Sequence, residues 1–353
     1  MAALPKKLDP RKILIVLHGS IGDVTRALPL ANRLRHGFPR ATLAWSIEPP
    51  SLPLLEHHPA VDELLVFDRT RWRSLGTFLR RIRAARADLV LDLQRHLKSG
   101  IISRWSGAPH RLGFDRRDSK EFNWLFNNHH IPALGDGVSK LRHYLKFAET
   151  LGLAREPVEW KLSLTQEEQA RVDHCLANVC GGFVAVFVGS RWESKRWFSD
   201  QISGCAKLMH QRYGLSVVLL GGKEDAALAS EVELSCGRAV FNLVGRTSLK
   251  EAVGIIAKAK IAVGPDTGLM HIAAAVGTPV VSLWGATSPL RTGPYGFEDL
   301  VIRGRAACSP CYRKHCPIGR ICMRSIEVEE IMSKIEMGLA HERNHTWVYG
   351  THP

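Results

Sequence analysis

The stretch VGPDTGLMHIAAAVGTPVVSLWG, residues 263–285, joins one apolar run to another through a short turn and an amphipathic segment. The first run, Lys260 to Val263, stops at Gly264-Pro265. Asp266 and Thr267 then stand where a helix begins, and Leu269, Ile272, Ala273 and Val276 follow at helical spacing. A second run, Val280 to Trp284, comes after. A helix N-terminus leaves backbone N–H groups unpaired and carries partial positive charge. With a glycine that admits close approach, it is a natural seat for phosphate. His271, four residues past Thr267, lies one turn further along and reaches the same ligand. The plain alternative is that Asp266 caps the helix and His271 packs in the core.

Working outward, short apolar runs recur at Phe183 to Val188, Ser216 to Leu220 and Ala239 to Val244, with helical stretches between them. An earlier series covers Lys12 to His18, Thr42 to Ile47, Glu63 to Phe67 and Asp88 to Leu93. Alternation of this kind specifies an α/β fold with parallel sheets. Two successive series predict two Rossmann-like, doubly wound domains facing a central cleft. The reading assigns 1–165 to an N-terminal Rossmann-like domain and 166–182 to a linker region with a polar helical segment. It assigns 183–326 to a C-terminal Rossmann-like domain and 327–353 to a helix and tail, with Val328, Ile331 and Ile335 placed to pack back on the first domain.

A length of 353 residues suits two domains, and a hydrophobic content of 45% suffices for two cores. No segment has the roughly 20 apolar residues of a membrane-spanning helix, and MAALPKKLDPRK lacks the apolar centre of a signal peptide. The cytoplasm is the expected compartment. A formal net charge of +14 implies an anionic partner, whether nucleic acid, acidic membrane or phosphorylated substrate. Of eight cysteines, four cluster as Cys308, Cys311, Cys316 and Cys322. The first pair has metal-ligand spacing, which makes a structural tetrathiolate zinc site one reading; free thiols in a reducing compartment are the other.

The first strand runs into His18-Gly19-Ser20-Ile21-Gly22-Asp23, with a helix from Val24 to His36. The loop lacks the GxGxxG fingerprint, which argues against NAD. Asp23 suits a general base on a hydroxyl, or a helix cap whose lowered pKa makes it a weak one. After Val188 comes Gly189-Ser190-Arg191-Trp192-Glu193-Ser194-Lys195-Arg196-Trp197, small polar groups and two cations that suit a diphosphate. Gly221-Gly222-Lys223-Glu224-Asp225 offers an acidic residue, Glu224, for ribose hydroxyls, or is a simple turn. Seven arginines between Arg69 and Arg86, Arg71 and Arg73 among them, interleave with Trp72, Leu75, Phe78, Leu79 and Ile82. This basic amphipathic helix suits an anionic bilayer surface or an acidic acceptor, and its stripe equally suits a surface helix packed on a sheet. Gln94, Lys98 and Arg111 bring further polar groups to strand ends of the first domain, and with Gly22, Arg71 and Arg73 they form the predicted acceptor site.

Taken together, GSIGDVTRALP (19–29), the Lys195-Arg196-Trp197 segment, GPDTGLMHIAAAVGTP (264–279) and the cysteine-rich tail CSPCYRKHCPIGRICM resemble the ADP-heptose:lipopolysaccharide heptosyltransferases of glycosyltransferase family 9. The likeness runs from Lys12 to about Glu330, and the tail resembles the heptosyltransferase II-like branch. It implies a GT-B fold and an inverting transfer of L-glycero-D-manno-heptose from ADP-heptose to the Kdo or heptose inner core of lipopolysaccharide. By the resemblance Asp23 is the catalytic base and Lys195 the diphosphate-binding lysine. Asp266, Thr267, Gly268 and His271 form the donor-sugar and phosphate motif; Ser190, Glu224 and Thr247 line the rest of the donor site. No cofactor and no catalytic metal are implied. The implied partners are ADP-heptose, Kdo2-lipid A or its heptosylated form, and the inner-membrane cytoplasmic surface, where the enzyme is peripheral. Three rivals stand beside this reading. A nucleic-acid-binding protein explains the charge but needs a recognition motif that the sequence lacks. A non-catalytic sugar-nucleotide-binding protein, or a family-9 enzyme with another donor or acceptor, keeps the second-domain motif.

Overall fold

The computed structural model describes residues 5, 8–70 and 74–341. The chain divides into two compact units, 1–161 and 162–353. In the first, strands β1 (Lys12–Val16), β2 (Thr42–Ile47), β3 (Glu63–Val66), β4 (Leu89–Asp92), β5 (His110–Gly113) and β6 (His129–His130) form one sheet in the order β3-β2-β1-β4-β5-β6. Every pairing is parallel, and Val16 at the end of β1 stands opposite Asp92 at the end of β4. In the second, β7 (Phe183–Phe187), β8 (Ser216–Leu220), β9 (Val240–Asn242), β10 (Ile261–Pro265), β11 (Val280–Trp284) and β12 (Val301–Arg303) order as β12-β11-β10-β7-β8-β9, again all parallel. Counted from its own first strand, each sheet has the order 3-2-1-4-5-6. The winding therefore reverses between β1 and β4 in one unit and between β7 and β10 in the other.

Continuous apolar strands are what a parallel sheet covered on both faces requires, and β1, β4, β7 and β11 are buried almost throughout. The predicted strands are all present. Three are additional: β5, β6 and β12 have two to four residues each and carry no periodicity that a sequence reading detects.

The division lies within the 155–182 stretch where the sequence places it, and the segments on either side of the second sheet both belong to the second unit. The segment read as a linker holds a helix, Gln166–Cys175, started by a reciprocal cap between Thr165 and Glu168. Its Val172 is fully buried and packs where Gly254 leaves room for it, so the helix belongs to the second unit and the division falls near 161. The last helix, Val328–Leu339, was expected to pack on the first domain. Its Ile331, Met332 and Ile335 instead lie in the second unit's core with Ile261, Val263 and Leu300. A strongly apolar stripe reports that a helix is buried, not against which sheet.

Gly264 also has a packing role that its position in the opening motif conceals. A Cβ there would stand 2.6 Å from Phe187 Cβ and 2.9 Å from its carbonyl oxygen, because β10 and β7 approach closely at this point. Gly264→Ala is expected to lower the unfolding free energy by about 1–3 kcal/mol, the usual cost of overpacking. Gly76→Ala, in the helix Leu75–Ala84 where an added methyl meets nothing, should leave it unchanged or raise it by about 0.5–1 kcal/mol. Denaturant unfolding of the two variants checks the contrast, and equal effects would contradict it.

Candidate active site

Ligands of open α/β sheets bind beyond the carboxyl ends of the strands, where the winding reverses. In the second unit two loops leave that point. The loop after β7 carries Ser190 to Lys195, and the turn after β10 carries Asp266. Lys195 Nζ lies 2.6 Å from Asp266 Oδ2. Thr287, just beyond β11, donates its hydroxyl to the same oxygen at 2.7 Å, and Ser190 Oγ donates to the Asp266 carbonyl at 2.8 Å. The Trp192 ring lies 4.4 Å from the ammonium. Asp266 is thus not a helix cap. The N-cap of the helix Gly268–Ala275 is Thr267, which makes no side-chain cap bond. Thr267 and Gly268 are half-buried at an open end, while His271 is buried one turn in.

Trp197 fixes this loop to the sheet. Its indole is buried and donates to the Phe187 carbonyl at 3.1 Å, at the end of β7. Arg196 is ion-paired to Asp225 at 3.2 Å, and its Nε donates to the Ser190 carbonyl at 3.0 Å. Burial pushes the Asp225 carboxyl up, against the pull of Arg196. Of the remaining donor-site predictions, Glu224 is exposed beside Asp225. Thr247 is half-buried next to Ser248, which caps the helix Leu249–Lys258.

In the first unit Asp23 follows β1 and lies in the first turn of the helix Ile21–Gly37, which begins earlier than the sequence suggests. Gly19 has to be a glycine here, since a Cβ would stand 2.6 Å from Asp23 Cβ. Asp23 Oδ1 pairs with Arg26 Nη2 and with Lys140 Nζ, both at 2.7 Å, and Ser20 Oγ donates to Oδ2 at 3.1 Å. Burial alone would raise its pKa; Lys140 and then Arg26 outweigh that and hold the carboxyl far below the usual carboxylate range. Gly22 is buried in the same turn. Lys98 Nζ reaches Glu48 at 3.1 Å and lies over the Phe67 ring at 4.6 Å. Phe67 stacks on His18, whose pKa is lowered to about 3 by burial and by Lys98, so that it is neutral.

Other acceptor predictions do not gather here. Arg111 is engaged by backbone carbonyls, Nη1 to Ala108 at 2.6 Å and Nε to Phe126 at 3.0 Å, and it holds β5 to its neighbouring loop. Arg71 and Arg73 lie outside the described residues. Gln94 is half-buried after β4 and donates its backbone N–H to Asp92. Lys140 and Thr287 were not foreseen. Thr287 follows a strand in the run Gly285-Ala286-Thr287-Ser288 and was open to the same carboxyl-end argument; Lys140 is 117 residues from its partner and had no local signal.

Residues 75–322 match the sequence profile of glycosyltransferase family 9 (heptosyltransferase). The chain belongs to this family. It is 29% identical to lipopolysaccharide heptosyltransferase 1 of Pseudomonas aeruginosa, over 86% of this chain and 87% of that one. It is also 29% identical to lipopolysaccharide heptosyltransferase 2 of Escherichia coli K12, over 83% and 88%. The fold is similar to that of the E. coli heptosyltransferase WaaC solved with ADP-2-deoxy-2-fluoro heptose, with a TM-score of 0.71, 23% identity, and coverage of 92% of this chain and 99% of that one. The profile spans Lys195, Asp266 and Thr287 of this family-9 glycosyltransferase; Asp23 lies before it.

The thiols of the family-9 chain do not form the zinc site that their spacing allowed. Among the described residues no group of three or more His, Cys, Asp or Glu side chains is placed to hold a metal ion. All four are free. Cys308 is exposed, while Cys322 is buried against Gly285, where burial raises its pKa.

Asp92 gives the first unit a pH signature. It is fully buried at the end of β4, where burial raises its pKa to about 6 from 3.8, against hydrogen bonds from Asn123 at 2.7 Å and Asn127 at 3.2 Å. With the folded pKa above the unfolded one, the native state binds the proton more tightly. Its contribution is complete below about pH 4 and is lost as pH rises through 6. The stability of the wild type relative to Asp92→Asn should therefore fall by up to about 3 kcal/mol between pH 4 and pH 7. Denaturant titrations at both pH values check this, and a constant difference would refute it.

Proposed function

We propose that this protein is an inverting heptosyltransferase that moves heptose from ADP-heptose to a hydroxyl of the lipopolysaccharide inner core. The observation that carries the reading is the Lys195, Asp266 and Thr287 cluster at the reversal point of the second sheet, beside an open helix N-terminus. A cation held at 2.6 Å by a carboxylate is already desolvated and oriented. It can turn toward a diphosphate and offset the charge that develops as the glycosidic bond breaks. Asp266 then accepts hydrogen bonds from sugar hydroxyls, and the backbone N–H groups at Gly268 face the phosphates. Ser190, Glu224, Thr247 and His271 complete the donor site in this proposal. The relative solved with ADP-2-deoxy-2-fluoro heptose supports the donor, and the two lipopolysaccharide heptosyltransferases support the acceptor class. Equal identity to types 1 and 2 leaves the acceptor sugar, Kdo or heptose, to experiment.

Asp23 is the base on the attacking hydroxyl, with Gly22, Gln94 and Lys98 beside the acceptor. Two cations make it a weak base, so the proton moves late, after the new C–O bond has begun to form and the hydroxyl has become strongly acidic. Asp23→Asn should lower kcat by about 10²–10⁴-fold and leave ADP affinity unchanged. Because Asp23 stays ionised at all but very acidic pH, the wild type should show no acid limb from this group between pH 5 and 8. Lys140→Ala removes a neighbouring positive charge, raises the Asp23 pKa and moves loss of activity to higher pH. Heptose transfer measured from pH 4 to 8 checks both; an Asp23→Asn enzyme with wild-type kcat would end the assignment.

A lipid-borne acceptor requires the enzyme to meet a bilayer surface as a peripheral protein. Among the described residues no helix is long and apolar enough to cross a membrane. The helix Leu75–Ala84, in the arginine-rich segment, buries Phe78 and Ile82 in the first unit, which leaves Leu75 as its one exposed large apolar side chain among the described residues. The helix Leu97–Trp105 keeps an exposed stripe: Leu97, Ile101 and Trp105 follow at intervals of four and are 41–51% exposed. Phe122 and Leu125, on the neighbouring turn, are 71% and 60% exposed, with Lys98, Arg104, Arg116 and Lys120 among them. Apolar side chains rimmed by cations fit an anionic bilayer. Sedimentation with phosphatidylglycerol-containing vesicles should fall at least about 10-fold for Ile101→Asp with Trp105→Asp, and be weak for both proteins with phosphatidylcholine alone. Unchanged binding would exclude this face.

A further inference from the structure

We infer that the thiol-rich loop 306–320 sets the position of Lys195, with Arg320 and Glu193 as the positioning residues. The inference rests on the reading that Lys195 meets the donor diphosphate.

Lys195 ends a single turn of 3-10 helix, Glu193–Lys195, which is too short to hold its own geometry. The turn is fastened from outside at every neighbouring residue. Ser194 is buried, and its hydroxyl donates to the Arg313 carbonyl at 2.5 Å, while its backbone N–H donates to the Lys314 carbonyl at 3.1 Å. One Glu193 oxygen accepts the Cys316 N–H at 3.0 Å, and the other pairs with Arg320 Nε at 3.0 Å. Arg320 also donates from Nη1 to the Arg196 carbonyl at 3.1 Å and lies over the Phe198 ring at 4.2 Å. Its own N–H donates to Cys316 Sγ at 3.1 Å, which closes the loop on itself.

The same loop is tied to the end of β11. Ser309 Oγ donates to the Gly285 carbonyl at 2.7 Å, and the Tyr312 N–H donates to the Ala286 carbonyl at 2.8 Å. The next residue is Thr287, which holds Asp266. The loop therefore spans from the support of the lysine to the support of its carboxylate, and it fixes the distance between them. The guanidinium fork makes Arg320 the hub, since it bonds residues on both sides of Lys195 at once. This gives the cysteine-rich tail a role without a metal.

The test is a double-mutant cycle on ADP affinity, measured by calorimetry on the full chain. Lys195→Ala should weaken ADP binding by about 10–100-fold and Arg320→Ala by about 10-fold, the size of one charge-assisted contact. If Arg320 acts through Lys195, the double variant binds ADP within about 2-fold of Lys195→Ala alone. An Arg320→Ala protein with wild-type affinity overturns the inference. So does an equal loss from Arg320→Ala in both backgrounds, which marks a general structural effect. Loss of the Lys195→Ala effect itself would instead defeat the donor-site reading. Should Arg320→Ala not fold, Glu193→Gln takes its place in the cycle. It cuts the ion pair yet keeps an acceptor for the Cys316 N–H, and the same outcomes apply.

Discussion

The Lys195 to Asp266 ion pair is the constraint on which the second unit's site depends. It joins the loop after β7 to the turn after β10, across the point where the sheet reverses, and Thr287 brings in the loop after β11 through the same carboxylate oxygen. A largely buried pair of this kind gains little net stability over apolar packing, because desolvation offsets most of the attraction. Removing one partner is costly, however, since it leaves the other charge buried alone. What the pair provides is a fixed cation beside a helix N-terminus, whose N–H groups add to the field an anion meets.

The first unit repeats the topology with the roles reversed. Asp23 also follows the first strand of a sheet ordered 3-2-1-4-5-6, and it too is paired with a lysine, Lys140. In the proposed reaction the carboxylate is the working group there and the cations tune it. In the second unit the lysine works and the carboxylate holds it. On that proposal the same position in two copies of one fold presents an anion to the hydroxyl being deprotonated and a cation to the phosphates being released.

Much of this was legible in the sequence because parallel sheets write themselves as apolar runs with polar residues at the carboxyl ends. The runs Lys12 to His18 and Lys260 to Val263 were recognisable for that reason, and so were the residues beyond them, Asp23 and Asp266. What was hidden is what depends on partners distant in the chain. Lys140 and Arg320 touch Asp23 and Glu193 over separations of more than 100 residues, and no local spacing reports such contacts. Arg111 resembled a site cation but holds backbone carbonyls, and the cysteine spacing resembled a zinc site but serves a loop whose bonds are mostly to backbone. The C-terminal helix showed its apolar stripe plainly. Which core receives the stripe is a property of the packed unit.

The most direct test of the account is mass spectrometry of truncated inner-core lipopolysaccharide after incubation with the protein and ADP-heptose. The account predicts a product heavier by one heptosyl residue, formed from ADP-heptose and not from UDP-glucose. Absence of that product with an acceptor ending in Kdo and with one ending in heptose, or equal transfer from UDP-glucose, would contradict it.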